Sequence, residues 1–516
     1  MAVLSLTIVA AFLTSCGDDE QVDEERRADD RANVVVLMTD DQSTQSMRVL
    51  RRTRRLIGER GVAFARAFAS FPLCCPSRAS FFTGQYAHNN GVQGNDPKQD
   101  GGGYVNLNQP RRTLASWMNA GGYETAHFGK WANAPGPHAP PGWDTWGMTF
   151  DRTTGYYDYR MRRPQGKPLA YGSRARSYHT DAMTRQATRF ITRHAGEGDR
   201  PMFLSVAYLA PHGGFGRDDA AGRRCGVGGA HPAARHATAF ADAPLPRPRS
   251  FNEADVSDKP DSIRATPRFS PVQIETIKTK YRCELASLLS VDQSVVRIIR
   301  ALRRADALRD TYLIFTSDQG AFHGEHRRTG GKNLPYEEAT HVPLLIRGPG
   351  LPRGEVLTDP VANIDLARTI LALSGVQRRP RVQRVMDGRS LVPLMKGRAA
   401  WPDRAVLIEG RQQTTRGDDY QWEVASYQGV RTKRYAYSEY YMQTVSGPSE
   451  GARARIGEGE LSARELYDLK TGPYELRSLD REPRYREVRE KLGRALDRLR
   501  KCAGHECQLE VSLPPR

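Results

Sequence analysis

A cysteine and an arginine stand about one helical turn apart in the stretch Cys74-Cys75-Pro76-Ser77-Arg78. Pro76 fixes φ and lacks an N–H, which suits the first turn of a helix and restrains Cys75 before it. Cys74 is therefore expected just ahead of a helix N-terminus, where free amides and the helix dipole favour an anion. Arg78 can face the same anion. The pattern predicts an anion site that contains a cysteine, and a buried thiol at a helix start is the open alternative.

Two adjacent aspartates follow a short apolar run. Residues 33–38 (Asn-Val-Val-Val-Leu-Met) lack alternation, which is typical of a strand buried on both faces. The run continues into Thr39-Asp40-Asp41, and open α/β sheets place ligands at the carboxyl ends of their strands. Carboxylate oxygens at such a point suit Ca²⁺ or Mg²⁺. A helix cap or a turn is the alternative that these residues alone leave open.

The run from Cys74 through Arg-Ala-Ser-Phe-Phe-Thr to Gly84 resembles the signature of the type I sulfatases. In that family the first cysteine of Cys-x-Pro-Ser-Arg is oxidised to formylglycine. The opening run Val-Leu-Met-Thr-Asp-Asp-Gln is similar to the family's first strand with its metal-binding acids. Further family motifs follow in the expected order, namely Gly-Lys130-Trp, Ala-Pro-His212, Asp318-Gln319, Gly-Glu-His326 and Gly-Lys332. The resemblance covers nearly the whole chain after residue 31.

The resemblance implies a complete active site. The implied catalytic residues are Cys74, Arg78, Lys130, His212 and Lys332. The implied substrate contacts are Lys130, His212, His326 and Lys332. The implied metal ligands are Asp40, Asp41, Cys74, Asp318 and Gln319, with Ca²⁺ as the expected ion and Mg²⁺ as the alternative. Gln319 departs from the family, which usually has asparagine or histidine at this position, so its role as a ligand stays open.

The same resemblance implies a reaction. The hydrated aldehyde at position 74 attacks sulfur, which gives a covalent sulfate and frees the alcohol. Arg78 stabilises the ionised hydroxyl, and Lys332 and His212 donate the proton to the departing oxygen. The second geminal hydroxyl then loses its proton, the aldehyde reforms and sulfate leaves. A formylglycine-generating enzyme is the implied partner during maturation.

Two features of the motifs narrow the expected substrate. The form Gly-Lys130-Trp-Ala-Asn133 and the presence of Cys75 are similar to the N-acetylglucosamine-6-sulfatase and heparan endosulfatase group. A 6-O-sulfated N-acetylglucosamine is therefore the expected substrate. The alternatives are an arylsulfatase, a phosphodiester or phosphonate hydrolase on the same scaffold, or a sulfated-glycan-binding lipoprotein in which Cys74 is not converted.

The elements that must position these residues alternate along the chain. Buried strands are expected at residues 33–38, 202–208 and 311–317. One long helix or two broken ones are expected at residues 274–308. The resemblance implies an α/β fold of the alkaline-phosphatase-like sandwich type, with a large mixed, mostly parallel central sheet flanked by helices and a smaller C-terminal antiparallel sheet domain. We place the catalytic domain at residues 32–398 and the small α+β domain at residues 399–516.

The N-terminal residues predict export. Residues 1–15 are apolar but too short to span a bilayer, which is typical of a signal peptide. They end in Leu-Thr-Ser-Cys16, which resembles a bacterial lipoprotein cleavage box, so that Cys16 would carry lipid. Residues 16–31 are acidic and polar, as expected of a disordered tether. We expect an exported protein anchored to the cell envelope and its membrane through Cys16, with a secreted protein as the alternative.

The net charge of +18 would attract polyanions such as sulfated glycans. An arginine-rich bias spread over a solvated surface accounts for most of this charge, and no nucleic-acid-binding motif accompanies it, so no nucleic acid partner is expected. Export permits disulfides, and Cys502 and Cys507 are a candidate pair. The five remaining cysteines cannot all pair with one another, so at least one thiol stays free.

Overall fold

The computed structural model describes residues 31–97, 102–134, 140–149, 155–197, 200–214, 224–226, 228–376, 385–411, 413–416, 421–442, 456–457 and 459–514. The expected signal peptide, nearly all of the expected tether and the expected lipidation site Cys16 lie outside the described residues.

The strands, in chain order, are β1 (Asn33–Asp40), β2 (Val62–Phe64), β3 (Ala67–Phe68), β4 (Glu124–Lys130), β5 (Thr145–Thr149), β6 (Tyr159–Met161), β7 (Leu169–Tyr171), β8 (Met202–Pro211), β9 (Thr311–Ser317), β10 (His341–Val342), β11 (Leu344–Arg347), β12 (Glu355–Leu357), β13 (Val361–Ala362), β14 (Val406–Gly410), β15 (Gln413–Arg416), β16 (Gln421–Val424), β17 (Ser426–Arg431), β18 (Tyr435–Met442) and β19 (Glu460–Asp468).

The α-helices are α1 (Arg51–Thr53), α2 (Cys74–Thr83), α3 (Ala87–Asn90), α4 (Leu114–Ala120), α5 (His179–Glu197), α6 (Asp261–Arg264), α7 (Pro271–Arg304), α8 (Glu337–Thr340), α9 (Asp365–Leu373), α10 (Val392–Met395) and α11 (Arg486–Leu499). A π-helical turn, Arg54–Gly58, continues α1. Short 3₁₀ turns occupy Thr44–Val49, Tyr104–Asn106, Ala175–Ser177, Ala234–His236, Pro483–Tyr485 and Gly504–Cys507.

A mixed sheet of eight strands forms the centre of the molecule, in the order β12-β2-β11-β9-β1-β8-β4-β5. The pairs β9/β1, β1/β8, β8/β4 and β4/β5 are parallel, whereas β11 runs antiparallel to both of its neighbours. The expected large, mostly parallel sheet is confirmed. The expected strands at 33–38, 202–208 and 311–317 are confirmed as β1, β8 and β9.

The absence of alternation in the β1 sequence is explained by two cores. Val34 and Val36 pack into one core with α2, α4 and α9, while Val35 and Leu37 pack into the other with α5 and α7. Both sets of side chains are therefore buried, as expected of a strand covered by helices on each face. Helix α7 is a single helix, and Ser270 and Gln273 form a capping box at its start. Of the two alternatives predicted for residues 274–308, the single long helix is therefore confirmed.

A second sheet, in the order β14-β17-β18-β19, is antiparallel throughout. Helix α11 covers it with buried Val488, Leu492 and Leu496. The same core takes in Phe68 and Tyr336 from the preceding part of the chain, so the small sheet packs directly on the large unit. The expected C-terminal antiparallel sheet is confirmed, while the boundary at residues 398 and 399 stays a prediction.

The predicted pair Cys502–Cys507 is confirmed as a disulfide. A second disulfide, Cys225–Cys283, attaches the segment after β8 to α7. Cys74 and Cys75 take part in neither disulfide, and both are buried. Among the described residues, no helix combines the length and apolar character that crossing a bilayer requires.

One buried ion pair ties the strand layer of the small sheet to helix α9. Arg404 donates from both terminal nitrogens to the two carboxylate oxygens of Asp365, at 2.7 Å each. Asp365 also accepts from the backbone N–H groups of Ala362 and Arg389 at 2.7 and 2.8 Å. Both charged side chains are almost wholly buried, at 2% and 0% exposure. Removal of one partner would leave the other charge without compensation.

We therefore predict that Arg404→Ala lowers the free energy of unfolding by about 3–5 kcal/mol, because it leaves the buried Asp365 carboxylate without its ion-pair partner. Urea unfolding followed by circular dichroism measures the change. Arg481→Ala is the matched control, since Arg481 is exposed and a surface change of this kind shifts stability by about 0.5 kcal/mol or less. Equal stability of the two variants would contradict the role given to the pair.

Candidate active site

The strand order brings the predicted residues to one edge of the central sheet. Asp40 ends β1, Asp318 follows β9, His212 follows β8 and Lys130 ends β4. The order β9-β1-β8-β4 makes these strands direct neighbours. Because they are parallel, their carboxyl ends meet at one edge, where open α/β sheets bind ligands. The structure gathers Asp40, Asp41, Cys74, Arg78, Lys130, His212, Asp318, Gln319 and Lys332 at this edge.

The two adjacent aspartates point into the same cluster because the backbone turns between them. Successive side chains of a strand point to opposite faces. Asp41 leaves the strand with φ 63°, in the left-handed region, and its N–H donates to Asp318 Oδ1 at 3.1 Å. Ligand atoms of Asp40, Asp41, Cys74 and His212 consequently lie within 4.8 Å of one another. Two of the three predicted carboxylate ligands thus share this group, and Asp318 contacts it through the Asp41 backbone.

Pro76 lies in the first turn of α2, as predicted, and Cys74 is the first residue of this helix, one position further in than expected. Leu73 is extended, and the helix ends at Gly84, which has φ 68° and donates its N–H to the Ser80 carbonyl at 2.9 Å. The thiol of Cys74 donates to Asp40 Oδ1 at 3.7 Å and is 2% exposed. Burial and the nearby carboxylate of Asp40 outweigh the pull of the lysines and raise the pKa of Cys74 to about 11.

Arg78 lies one turn into α2 and is held on three sides. Its Nε and Nη2 each lie 2.8 Å from Asp318 Oδ2, and its Nη1 donates to the Lys130 carbonyl at 2.7 Å. Nη2 also lies 3.7 Å from Asp40 Oδ2. Although burial alone would lower the pKa of Arg78, the charges of Asp318 and Asp40 raise it. Arg78 is therefore a fixed positive charge one helical turn after Cys74.

Two lysines supply further positive charge from different elements. Lys130 Nζ forms an ion pair with Asp40 Oδ2. Gly129 before it has φ 117°, and a Cβ there would overlap the Ala207 carbonyl oxygen of β8, so glycine is required for this close approach. Lys332 Nζ donates to both carboxylate oxygens of Asp41, at 2.6 and 2.5 Å. Burial opposes the charged form, but Asp41 raises the pKa of Lys332, and Asp40 raises the pKa of Lys130.

His212 is held by its own loop and by an aromatic side chain. Its Nδ1 lies 2.5 Å from the Gly213 carbonyl, to which it donates, so Nε2 carries the lone pair. Nε2 lies 3.6 Å from Asp41 Oδ2. Burial and the charge of Lys130 lower the pKa of His212. The Tyr156 hydroxyl donates to the His212 carbonyl at 2.8 Å, and this contact fixes the loop.

Gln319 is at the cluster, with its amide nitrogen toward Asp41 and 3.4 Å from the Cys74 sulfur. Its Oε1 is buried and has no hydrogen-bond partner. The two orientations of a carboxamide differ by a half-turn. A cation beside Asp41 would favour the orientation that presents Oε1. Ligation by Gln319 stays a prediction.

The donor set at this edge fits a hard divalent cation. The carboxylates of Asp40, Asp41 and Asp318 offer oxygen atoms, which Ca²⁺ and Mg²⁺ prefer. Asp40 Oδ2 is fully buried and pairs with the Lys130 ammonium. Burial would raise the pKa of Asp40, but Lys130, His212 and Arg78 lower it, whereas burial and Asp40 raise the pKa of Asp318 to about 7.

His326 is not at this edge, although the resemblance placed it among the substrate contacts. Its Nδ1 lies 2.8 Å from Glu253, its Nε2 lies 3.7 Å from Glu338, and its ring stacks on Tyr336 at 4.2 Å. The side chain is completely buried. Burial alone would lower the pKa of His326, but hydrogen bonds with Glu253 and Glu338 raise it to about 10. These contacts fit a structural role between the large unit and the small sheet.

Three contributors to the site were not identified from the sequence. Ser77 lies inside the first motif, and its hydroxyl donates to the Asp318 carbonyl. Asn363 donates to Ser77 Oγ at 3.0 Å and accepts from the Ser70 N–H at 3.1 Å, so it braces the start of α2. Asn363 belongs to a motif for which only a structural role was expected. Tyr156 follows no recognisable pattern, so nothing in the sequence pointed to it.

Comparison with known families and proteins supports the interpretation of this edge. Residues 32–376 match the family described as Sulfatase, and residues 324–447 match the family described as N-sulphoglucosamine sulphohydrolase, C-terminal. An extracellular sulfatase Sulf-1 homologue of Caenorhabditis elegans is 33% identical over 372 residues, which is 71% of this chain and 49% of that protein. The chain therefore spans about half the length of this relative.

Two further similarities concern a human enzyme and a solved structure. The N-acetylglucosamine-6-sulfatase of Homo sapiens is 31% identical over 395 residues, covering 73% of this chain and 67% of that protein. A solved structure described as a complex with its substrate D-glucosamine-2-N,6-O-disulfate superposes with a TM-score of 0.71 at 22% identity, covering 91% of this chain and 98% of the other. This likeness confirms the expected fold class.

The raised pKa of Cys74 predicts slow alkylation of this residue wherever it is present as cysteine. With a pKa of about 11, about one thiol in a thousand is ionised at pH 8, compared with about a quarter for an ordinary thiol of pKa about 8.5. We expect the rate of modification by iodoacetamide to rise roughly tenfold per pH unit up to pH 10. Peptide mass spectrometry measures it, with the urea-unfolded chain as the control. Full labelling of the folded chain within minutes at pH 8 would contradict the buried, protonated thiol.

Proposed function

The chain belongs to the sulfatase family, and on that premise we propose that it hydrolyses sulfate esters with formylglycine at position 74 as the nucleophile and Ca²⁺ as the metal. One observation carries the proposal. The helix start at Cys74 lies against three carboxylates and three side-chain cations, contributed by Asp40, Asp41, Asp318, Arg78, Lys130 and Lys332.

The environment of Cys74 disfavours a thiolate nucleophile. Burial and Asp40 keep the thiol protonated at neutral pH, with a pKa of about 11. A protonated thiol is a weak nucleophile. An oxygen nucleophile at the same Cβ avoids this problem, and the hydrated aldehyde of formylglycine is such a group. These oxygens would be bonded to the same Cβ and would take the place of the Cys74 sulfur.

The charge balance supports a divalent cation. Three carboxylates face three side-chain cations, so the formal charge of the cluster is zero. A neutral cluster has little attraction for an anionic sulfate ester. Asp40, Asp41 and Asp318, with Gln319 as a further oxygen donor, would hold Ca²⁺. The ion supplies Lewis-acid stabilisation of negative charge on the ester.

The side chains of this protein have separable roles in the reaction. Arg78 is immobilised by Asp318 and the Lys130 carbonyl, so it can stabilise negative charge at position 74 without moving. Lys332 stays protonated because Asp41 raises its pKa above the usual range against the effect of burial. The oxygen of a departing alcohol is more basic than an amine, so Lys332 can give it a proton.

His212 starts in the other protonation state. Burial and Lys130 lower the pKa of His212, so its imidazole is neutral near pH 7. The hydrogen bond from Nδ1 to the Gly213 carbonyl leaves the Nε2 lone pair facing the cluster. In this state His212 accepts a hydrogen bond or a proton. Of the two predicted proton donors, Lys332 is therefore the one that is charged before substrate binds.

We propose a 6-O-sulfated N-acetylglucosamine as the substrate. The human relative named N-acetylglucosamine-6-sulfatase is 31% identical, and the Gly-Lys130-Trp-Ala-Asn133 form agrees with that group. The Asn133 carbonyl lies 3.8 Å from the Cys75 sulfur, so the two features that distinguish this group are in contact beside the nucleophile. Sulfated sugar is accordingly the proposed partner.

Maturation and location are proposed on the same basis. Residues 1–16 support export and lipid attachment at Cys16, which would anchor the protein to the cell envelope. The disulfides Cys225–Cys283 and Cys502–Cys507 agree with an oxidising compartment. Conversion of Cys74 would require a formylglycine-generating enzyme, and unfolded or newly made chain is the accessible form, because Cys74 is 2% exposed after folding.

We predict that Cys74→Ala lowers turnover by on the order of 10⁴-fold or more, because it removes the nucleophile. Its thermal unfolding should match that of the parent chain within a few degrees. Cys75→Ala is the matched control, since Cys75 is equally buried but occupies the variable position of the motif. It should keep both the aldehyde, detected by peptide mass spectrometry, and most of the activity. Retained turnover in Cys74→Ala would refute the nucleophile.

The substrate assignment predicts a rank order across defined esters. Sulfate release should be fastest from 6-O-sulfated N-acetylglucosamine, because the relatives and the Lys130 motif agree on that sugar. The panel also contains a 4-O-sulfated N-acetylgalactosamine, an aryl sulfate and an aryl phosphate diester, with Cys74→Ala as the blank for each. A higher kcat/KM for the phosphate diester than for every sulfate ester would reject the sulfatase proposal. A preference for the aryl sulfate would reject the sugar alone.

A further inference from the structure

A cavity of about 350 Å³ lies on the flank of the molecule, outside the cluster around Cys74. It is bounded by α1, the 3₁₀ turn Ala234–His236 and α7. Its lining consists of Arg52, Arg235, Gln293, Val296, Arg297 and Arg300. Four of these six residues are arginines, so positive charge is concentrated around the cavity.

Two carboxylates compensate part of this charge. Arg235 donates to both oxygens of Asp181 at 2.6 and 3.0 Å, and Arg297 donates to one at 2.9 Å. Asp292 accepts from the backbone N–H of Arg52 at 3.2 Å. Within the described part of the chain, the side chains of Arg52 and Arg300 have no acidic side chain at ion-pair distance. The cavity thus carries an excess of about two positive charges, from four arginines and two aspartates.

Favourable interactions with helix ends do not account for the positions of these arginines. Positive side chains are favoured in the last turn of a helix and disfavoured in the first. Arg52 lies in the short helix α1, whose backbone N–H groups at Arg52 and Thr53 are already capped by Asp292 at 3.2 and 2.7 Å. Arg297 and Arg300 precede the last turn of α7. Like charges collected around one concavity cost free energy unless an anion binds there.

The cavity lies toward the active-site edge of the sheet. Asp181 lies in the first turn of α5, two residues after His179. His179 Nε2 lies 3.4 Å from Thr149 Oγ1, and Thr149 ends β5 and pairs with Lys130 across β5 and β4. The start of α5, where Asp181 binds Arg235 of the cavity, is therefore close to the strand ends that carry the cluster.

We propose that this cavity binds a sulfate group of a sulfated polysaccharide chain while another sulfate of that chain is at the active site. The inference rests on the proposed function, since it needs a polymeric sulfate ester as substrate. Guanidinium groups bind tetrahedral oxyanions through paired N–H donors. Arg235 is engaged by Asp181 and Gln293 and forms part of the wall, whereas the side chains of Arg52 and Arg300, which have no acidic partner among the described residues, would bind the sulfate. No aromatic side chain lines the cavity, which disfavours single-stranded nucleic acid because that class relies on base stacking.

The binding test uses the full chain with Cys74→Ala, so that no ester is cleaved, and a size-defined heparin oligosaccharide as the probe. In this background we expect Arg52→Glu/Arg300→Glu to weaken binding about tenfold or more at ~0.15 M salt. Arg481→Glu/Arg494→Glu is the matched control, because both arginines are exposed on the small domain and the change in net charge is the same. The control should weaken binding less than about threefold.

Equal losses in the two charge-reversed proteins would overturn the proposal, since binding would then follow net charge alone. Equal affinity and equal loss with a single-stranded DNA of matched charge would also overturn it, because the cavity would not distinguish sulfate chains. Arg52→Gln/Arg300→Gln repeats the test with a smaller perturbation if the glutamate variant melts early. It should show the same direction of change.

A second readout separates this proposal from the proposed function. In the chain with Cys74 intact, the cavity variant should raise KM for the sulfated polymer and leave kcat/KM for a 6-O-sulfated monosaccharide unchanged. A loss on both substrates would overturn the separate site. If no ester is hydrolysed by the parent protein, the proposed function fails, and the oligosaccharide binding in the Cys74→Ala background still decides whether the cavity exists as a site.

Discussion

The buried ion pair between Arg78 and Asp318 fixes the geometry of the active site. Arg78 belongs to the helix that begins at Cys74, Asp318 follows the strand β9, and the Lys130 carbonyl of β4 accepts the remaining guanidinium hydrogen bond at 2.7 Å. Three separate elements therefore meet at one side chain. A shift of the helix by even one ångström would break charge-assisted hydrogen bonds in the interior, where an unpaired charge costs several kcal/mol. The position of residue 74 is therefore well defined, because moving the helix start would break the buried Arg78–Asp318 ion pair.

Charge neutrality is the second constraint, and it links folding to chemistry. The carboxylates at the ends of β1 and β9 are buried, so the protein needs cations beside them to fold. Arg78, Lys130 and Lys332 supply these charges from side chains. The same three cations would be the ones that contact a sulfate ester. A divalent ion that binds the carboxylates would release the lysines from them, so the site becomes electropositive only when it is loaded.

Much of the fold and of the site could be predicted because the signals are local. An apolar run without alternation identifies a doubly covered strand, and acids after it mark the ligand edge, as Asp40 shows. His326 could not be placed in this way. Its carboxylate partners Glu253 and Glu338 come from other parts of the chain, and Glu253 lies 73 residues earlier. The contact of Tyr156 with the His212 carbonyl and the pairing of Cys225 with Cys283 likewise depend on tertiary packing.

The effect of the net charge of +18 on polyanion binding depends on how the charged side chains are distributed. A diffuse positive surface attracts polyanions but does not orient them, and salt screens it over about 8–10 Å. Charges gathered around a concavity behave differently, because Arg235 is held by Asp181 and fixes the wall beside Arg52 and Arg300. A sulfated chain held at such a point and at Cys74 has a defined length between its two contacts. On the proposed function, that length would select which sulfate reaches position 74, so selection along a polymer would follow from spacing as well as from sugar identity.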